Sequence, residues 1–184
     1  MNIFLEHYQY LKNEAALLLK HAQQNDPPLD EAIARFRALS TFASLSSDDQ
    51  QALAELQLKH AMTVIAVENG YESWTELKSA LEHAAATSPL AEVKDQFYPQ
   101  RGAAYWNNWF ASYKKAKDVH KQSRGFLLPF RNQFFICEEG FVDELGIPAA
   151  LPEWKTIGFD WVHPAHVQTW LRLNERYAEK RAGK

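Results

Sequence analysis

Cys137, Asp160 and His163 are the residues whose types admit catalysis. Cys137 closes the apolar run Phe134-Phe135-Ile136 and precedes Glu138 and Glu139, while Asp160, His163 and His166 fall close together further on. A cysteine at the end of a strand with histidines elsewhere in the chain is the inventory of a thiol nucleophile and its base. That chemistry needs the thiolate, so Cys137 would have to be partly exposed and near a cation; a cysteine ending an apolar strand is otherwise a small, inert core residue. His163 and His166 have two residues between them, and on one helical turn both rings can reach a metal with Asp160 or Glu138. The competing reading puts His163 at the cap of a helix that Pro164 opens. Arg131, Asn132 and Gln133 interrupt the run Leu127-Leu128-Pro129-Phe130 and Phe134-Phe135-Ile136. They either make the turn of a hairpin or project donors into an aromatic-lined pocket, where Arg131 holds a carboxylate or phosphate and Trp109 or Trp161 forms the wall. Arg131, Gln133, Trp109 and Trp161 are therefore the ligand-binding candidates.

The elements that would position these groups follow from periodicity and caps. FLLPFRNQFFIC reads as two short strands or one kinked strand, with Pro129 arguing against a central position. Glu138 to Leu145 reads as a helix stopped by Gly146, followed by a turn around Trp154 to Ile157 and a last helix from Pro164 carrying Val167, Trp170 and Leu171 inward. A helix from about Ala103 to Lys121 is expected to turn Trp106, Trp109, Phe110, Tyr113 and Ala116 inward and Lys114, Lys115, Lys117 and Lys121 to water. Ser88-Pro89 is a helix-start signal, and Pro99 a stop or kink. Five of the six tryptophans follow residue 100, so this half has a bulky core of its own.

The N-terminal half reads as four antiparallel helices. The first runs from Ile3 to about Gln23 and ends at Asp26-Pro27-Pro28; the second, about Asp30 to Leu39, buries Ile33, Phe36 and Leu39. Ser47 with Gln50 opens the third. It ends near Asn69, where Gly70 supplies a left-handed residue, and Ser73 with Glu76 caps the fourth from Trp74. The expected fold is mainly α, a helical bundle with a small β-hairpin or short strand element, divided into residues 1–87 and an aromatic-rich part over 88–184. His60 reads as a core-edge residue; His7, His21, His83 and His120 read as surface residues.

Residues Asp26-Pro27, Ala34-Arg35-Phe36-Arg37, Leu58-Lys59-His60-Ala61, Val64-Ile65-Ala66 and Gly70-Tyr71-Glu72-Ser73-Trp74 with Leu77-Lys78 carry a family likeness. Over 15–82 the chain resembles a helical module of uncharacterised bacterial proteins that often precedes ankyrin repeats. The resemblance implies a docking or scaffolding role and supplies no activity to carry over. Residues 89–184 lack the Thr-Pro-Leu-His-x-Ala signature of ankyrin repeats.

Charge and composition exclude several classes. A formal charge of −3, with both signs mixed along the chain, makes no field for nucleic acid or anionic lipid. Ala66, Gly70 and Ser73 match the spacing of a DNA-binding helical hairpin, yet Glu72, Glu76 and Glu82 against Lys78 oppose phosphate contact. No apolar run approaches the roughly 20 residues that span a bilayer. One cysteine permits no internal disulfide and suits a reducing, cytoplasmic setting. No cofactor is expected. The expected function is that of a non-enzymatic interaction or accessory protein whose partner is another protein; the alternative is a small-molecule-binding protein or enzyme with a pocket near Arg131, Cys137, Asp160 and His163.

Overall fold

The computed structural model describes residues 1–24, 29–94, 97–98, 105–123 and 125–182, the last two as backbone only. The chain is mostly helical, with a small three-stranded antiparallel sheet in its C-terminal half. Two compact units are present, Tyr8–Ser79 and Met1–His7 with Ala80–Lys184. The stops expected at Asp26-Pro27-Pro28 and Pro99, and the helix start at Ala103, lie outside the described residues.

In the unit Tyr8–Ser79, α1 (Ile3–Gln23) supplies Leu11, Ala15, Leu18 and Ala22 as one buried stripe, and α2 (Leu29–Arg37) supplies Ala32, Ile33 and Phe36. Arg35 on α2 makes a bidentate pair with Glu68 at 2.8 and 2.7 Å. The expected third helix is two helices. Asp49, rather than Ser47, caps α3 (Gln50–Ala54) by accepting from the Ala52 N–H at 2.9 Å. The chain then restarts at α4 (Leu58–Glu68), where the Gln57 N–H donates to His60 Nδ1 at 3.1 Å. Gly70 takes φ 87°, as the corner requires, and the Tyr71 N–H closes back on the Ala66 carbonyl. Ser73 Oγ then accepts from the Glu76 N–H at the start of α5 (Trp74–Thr87). Leu77 is buried, while Val67 on α4 is exposed.

In the other unit the sheet comprises β1 (Asn108–Phe110), β2 (Phe126–Phe130) and β3 (Gln133–Cys137), in the order β1-β3-β2. Pro129 therefore sits on an edge strand, where its missing N–H costs no inner-ladder bond. One face, with Leu127, Ile136 and Val162, is covered by Ala116 of α6 (Tyr113–His120) and flanked by Phe110, Tyr113 and Phe134. The other face is aromatic: Phe126 packs on Trp154, and Trp109 stacks on Phe135, which meets Phe141.

Two expected helices are corrected. Residues 108–110 are strand, because they pair with Phe134–Ile136, and the helix begins only after Ser112, whose Oγ accepts from the Lys115 N–H. Residues 89–94, which follow Ser88, are not helical. There Ile3 N–H donates to the Ala91 carbonyl and Val93 N–H to the Met1 carbonyl, so these backbone groups are committed to a two-stranded bridge.

The chain continues through α7 (Glu139–Leu145), stopped by Gly146, and α8 (Pro152–Thr156). It ends its described course in α9 (Val167–Ala182), where His166 Nδ1 accepts from the Thr169 N–H at 3.2 Å. No described helix is long and apolar enough to cross a membrane.

Candidate functional site

Asp160 is placed by a backbone device. After α8, Gly158 and Phe159 take consecutive left-handed conformations, φ 71° and 55°, and turn the chain onto the outer edge of β2. There the Leu127 N–H donates to the Phe159 carbonyl and the Trp161 N–H to the Leu127 carbonyl, each at 2.9 Å. This parallel bridge between Leu127 and Asp160 puts the carboxylate on the same face as Leu127, beneath α6. Tyr113 and Lys117, four residues apart on α6, point to it.

The carboxylate is fully buried and saturated. Oδ1 accepts from the backbone N–H groups of Val162 at 2.9 Å and His163 at 3.0 Å; Oδ2 accepts from Tyr113 Oη at 2.7 Å and Lys117 Nζ at 2.8 Å. An ionised carboxylate is held in a dry interior only by such partners. Its four lone-pair positions are occupied, so it has none to offer a substrate proton. Lys117, expected on the wet face of its helix, is drawn inward because this buried charge demands a counter-ion.

His163 joins Asp160 through its backbone and a second histidine through its ring. His163 Nδ1 lies 3.1 Å from His7 Nδ1, the rings are stacked at 5.4 Å, and the Tyr113 ring meets His163 edge-on at 4.4 Å. Burial holds His163 down to about 4, with Asp160 opposing and Lys117 reinforcing the shift. Burial, then His163, pushes His7 well below the usual histidine range. The pair is thus two neutral imidazoles, one donating and one accepting. His7 was expected at the surface; it is fully buried because it lies in the α1 stripe with Phe4 and against Trp170. His120 is likewise buried, with Nε2 donating to the Gly125 carbonyl at 3.0 Å. His163 and His166 have separate tasks, the first on His7 and the second capping α9. Among the described residues no group of three His, Cys, Asp or Glu is arranged to hold a metal.

Cys137 is 2% exposed, its thiol donates to the Phe126 carbonyl at 3.5 Å, and burial raises its pKa far above the ordinary range. The thiolate is suppressed, so the nucleophile reading fails on its own physical condition. Arg131 forms the β2–β3 turn with Asn132, at φ 51°, with its guanidinium 5.1 Å from the centre of the Phe130 ring. It lies at the opposite end of the hairpin from Cys137, which pairs with Phe126. Trp109 does flank this corner, 5.5 Å from Phe130, and Gln133 is exposed beside it. Trp161 is fully buried against Trp154 and Phe97 and forms no ligand wall.

An open site of different composition lies at the Cys137 end of the sheet. A cleft of ≈ 510 Å³ is lined by Trp106, Asn108, Ser123, Glu138 and Glu139, with Gly125 and Gly140 among its other lining residues. Gly125 permits it to exist in this form: a Cβ there would overlap Ile136 Cγ2 and fall 2.9 Å from the Cys137 carbonyl oxygen. Glu138 leaves β3 and Glu139 opens α7, and both are exposed. Trp106, expected on the inward face of a helix, is 92% exposed, and residues 105–107 are not helical. No lysine, arginine or histidine lines the cleft among the described residues. Helical periodicity concealed Trp106; the Ser112 cap was the signal that the helix starts later and leaves it outside.

Comparison of the chain with protein-family models, with curated proteins and with solved structures gave no match.

Proposed function

We propose that this is a non-enzymatic interaction protein that docks a partner in the cleft beside Trp106. The observation that carries the reading is the indole itself. A tryptophan left 92% exposed at the mouth of a cleft is a large amphipathic contact with no internal partner to satisfy it, and such residues anchor interfaces. The alternative centre near Arg131, Cys137, Asp160 and His163 is weakened by the geometry of its members. Asp160 has spent its acceptors, Cys137 has lost its thiolate, and Arg131 sits at the far end of the hairpin.

The likeness of residues 15–82 to a bacterial module found before ankyrin repeats supports the same reading by association. Within it the N-terminal helices act as a bundle that serves as scaffold, and the protein works in the reducing cytoplasm, where a lone buried cysteine is at no disadvantage. The test is affinity capture with the wild type and with Trp106→Ala in parallel, alongside a thermal-shift screen of common metabolites. A partner captured by the wild type and lost by the variant is the expected result. Identical partner sets, or a metabolite that raises the melting temperature and protects Arg131 or Cys137, would overturn the reading.

A further inference from the structure

We infer that the occupant of the Trp106 cleft is a polypeptide segment bearing lysine or arginine, a deduction that rests on the docking role proposed above. Three independent features of the cleft converge on it. The first is charge: Glu138 and Glu139 both line the cleft and are exposed. A cationic partner gains from both carboxylates, whereas an acidic one is repelled. The second is the indole, whose face attracts ammonium and guanidinium groups more strongly than any other aromatic side chain does. Arg131 already shows the same chemistry at the other end of the sheet, over Phe130.

The third feature distinguishes a peptide from a small cation. β1 is an edge strand, paired to β3 on one side and to no other strand among the described residues. Asn108, its first residue, lines the cleft. A short edge strand presents main-chain donors and acceptors to an extended segment, so the main chain of a peptide is held while its basic side chain reaches Trp106 and the two glutamates. Asn108 and Ser123 add neutral hydrogen-bonding groups on the same lining. A free amine meets only the charged end of this arrangement.

The experiment titrates isotope-labelled full-length protein with a dodecapeptide library of alternating lysine or arginine and apolar residues, following the Trp106 indole N–H and the amides of Asn108–Phe110, Glu138 and Glu139. A matched library with glutamine for each basic residue, and spermidine and free arginine, are titrated in parallel. The expected result is saturable shifts confined to those signals with the basic peptides. Binding weakens about tenfold for Trp106→Ala and about tenfold for Glu138→Gln with Glu139→Gln, and falls as salt is raised. These side chains are exposed, so unchanged melting temperatures verify that the variants fold. Equal binding of the glutamine library overturns the charge inference and leaves the docking role standing. Spermidine or arginine binding as tightly as the peptides overturns the peptide in favour of a small cation. Basic peptides that shift none of the cleft signals overturn the inference as well, and the docking role is then decided separately by the Trp106→Ala capture.

Discussion

Acid should destabilise this protein through one identified pair of residues. His7 and His163 are buried, neutral and 3.1 Å apart at Nδ1. In the unfolded chain each titrates near the usual 6.5, while folded His163 titrates at about 4. The folded pKa is the lower one, so above 6.5 neither state is protonated and the pair has no pH effect. Between 6.5 and about 4 the unfolded state takes up a proton that the folded state refuses, and stability falls with pH; below 4 the loss is complete. The difference for His163 corresponds to about 3 kcal/mol, at 1.36 kcal/mol per unit, and His7 shifts in the same direction. The His163 ring meets Tyr113 edge-on and the His7 ring meets Trp170 edge-on, while Asp160 opposes the shift of His163 and Lys117 reinforces it. Urea unfolding at half-unit steps from pH 7.5 to 4.5 measures the effect. A double variant, His7→Gln with His163→Gln, keeps a donor and an acceptor at the pair but cannot titrate. The wild type should lose at least about 2–3 kcal/mol more than the variant over that range, the part due to His163 alone. Parallel curves for the two proteins would refute the assignment, since carboxylates and the remaining histidines are common to both.

Three further outcomes are expected. Asp160→Ala should cost at least about 3 kcal/mol in chemical denaturation, because it strands two buried backbone N–H groups and the Lys117 ammonium, while Asp160→Asn, which keeps an acceptor for the two N–H groups, should cost less. The Cys137 thiol should be silent to an aromatic disulfide reagent in the native protein and react only at the unfolding rate; fast labelling at pH 8 would contradict its burial. Gly70→Val should destabilise by about 1–3 kcal/mol in the same urea assay, since a β-branched residue is strained at φ 87°, and a neutral effect would remove the left-handed corner from the account of the α4–α5 hairpin.

Local signals carried much of the architecture. The α1 stripe, the Gly70 corner, the Gly146 stop and the polar break at Arg131-Asn132-Gln133 are each set within a few residues of chain, and the helices and hairpin form where those signals lie, with Gln133 taken into β3. The failures have a common physical origin in contacts distant along the chain. β1 exists because it pairs with β3, a partner that no periodicity within residues 103–121 encodes. Lys117 faces inward because Asp160, 43 residues on, requires a counter-ion. His7 is buried because it meets His163, although its place in the stripe with Phe4 and Leu11 was a readable hint. Asp160 and His163 were singled out as candidates for catalysis, but composition alone does not distinguish a carboxylate with free lone pairs from one whose every acceptor is filled. The Trp106 cleft was invisible for a related reason: its described lining comes from three separate places in the chain, Trp106 with Asn108, Ser123 with Gly125, and Ile136 to Gly140.

The segment Met1–His7 belongs to the same compact unit as Ala80–Lys184, and Tyr8–Ser79 lies between them along the chain. Ile3 bonds to Ala91, Phe4 packs on Trp170 at 5.0 Å, and His7 meets His163, a separation of 156 residues. On the ribosome the first seven residues therefore emerge long before the side chains that bury them. At elongation rates of about 5–20 residues per second, roughly 10–30 s separate His7 from His163. Tyr8–Ser79, a compact unit by itself, can collapse during that interval, while Ile3 and Phe4 still await Ala91 and Trp170. A chain diluted from denaturant has no such delay, so vectorial synthesis and refolding should pass through different early species, and chaperone dependence should be concentrated in the former.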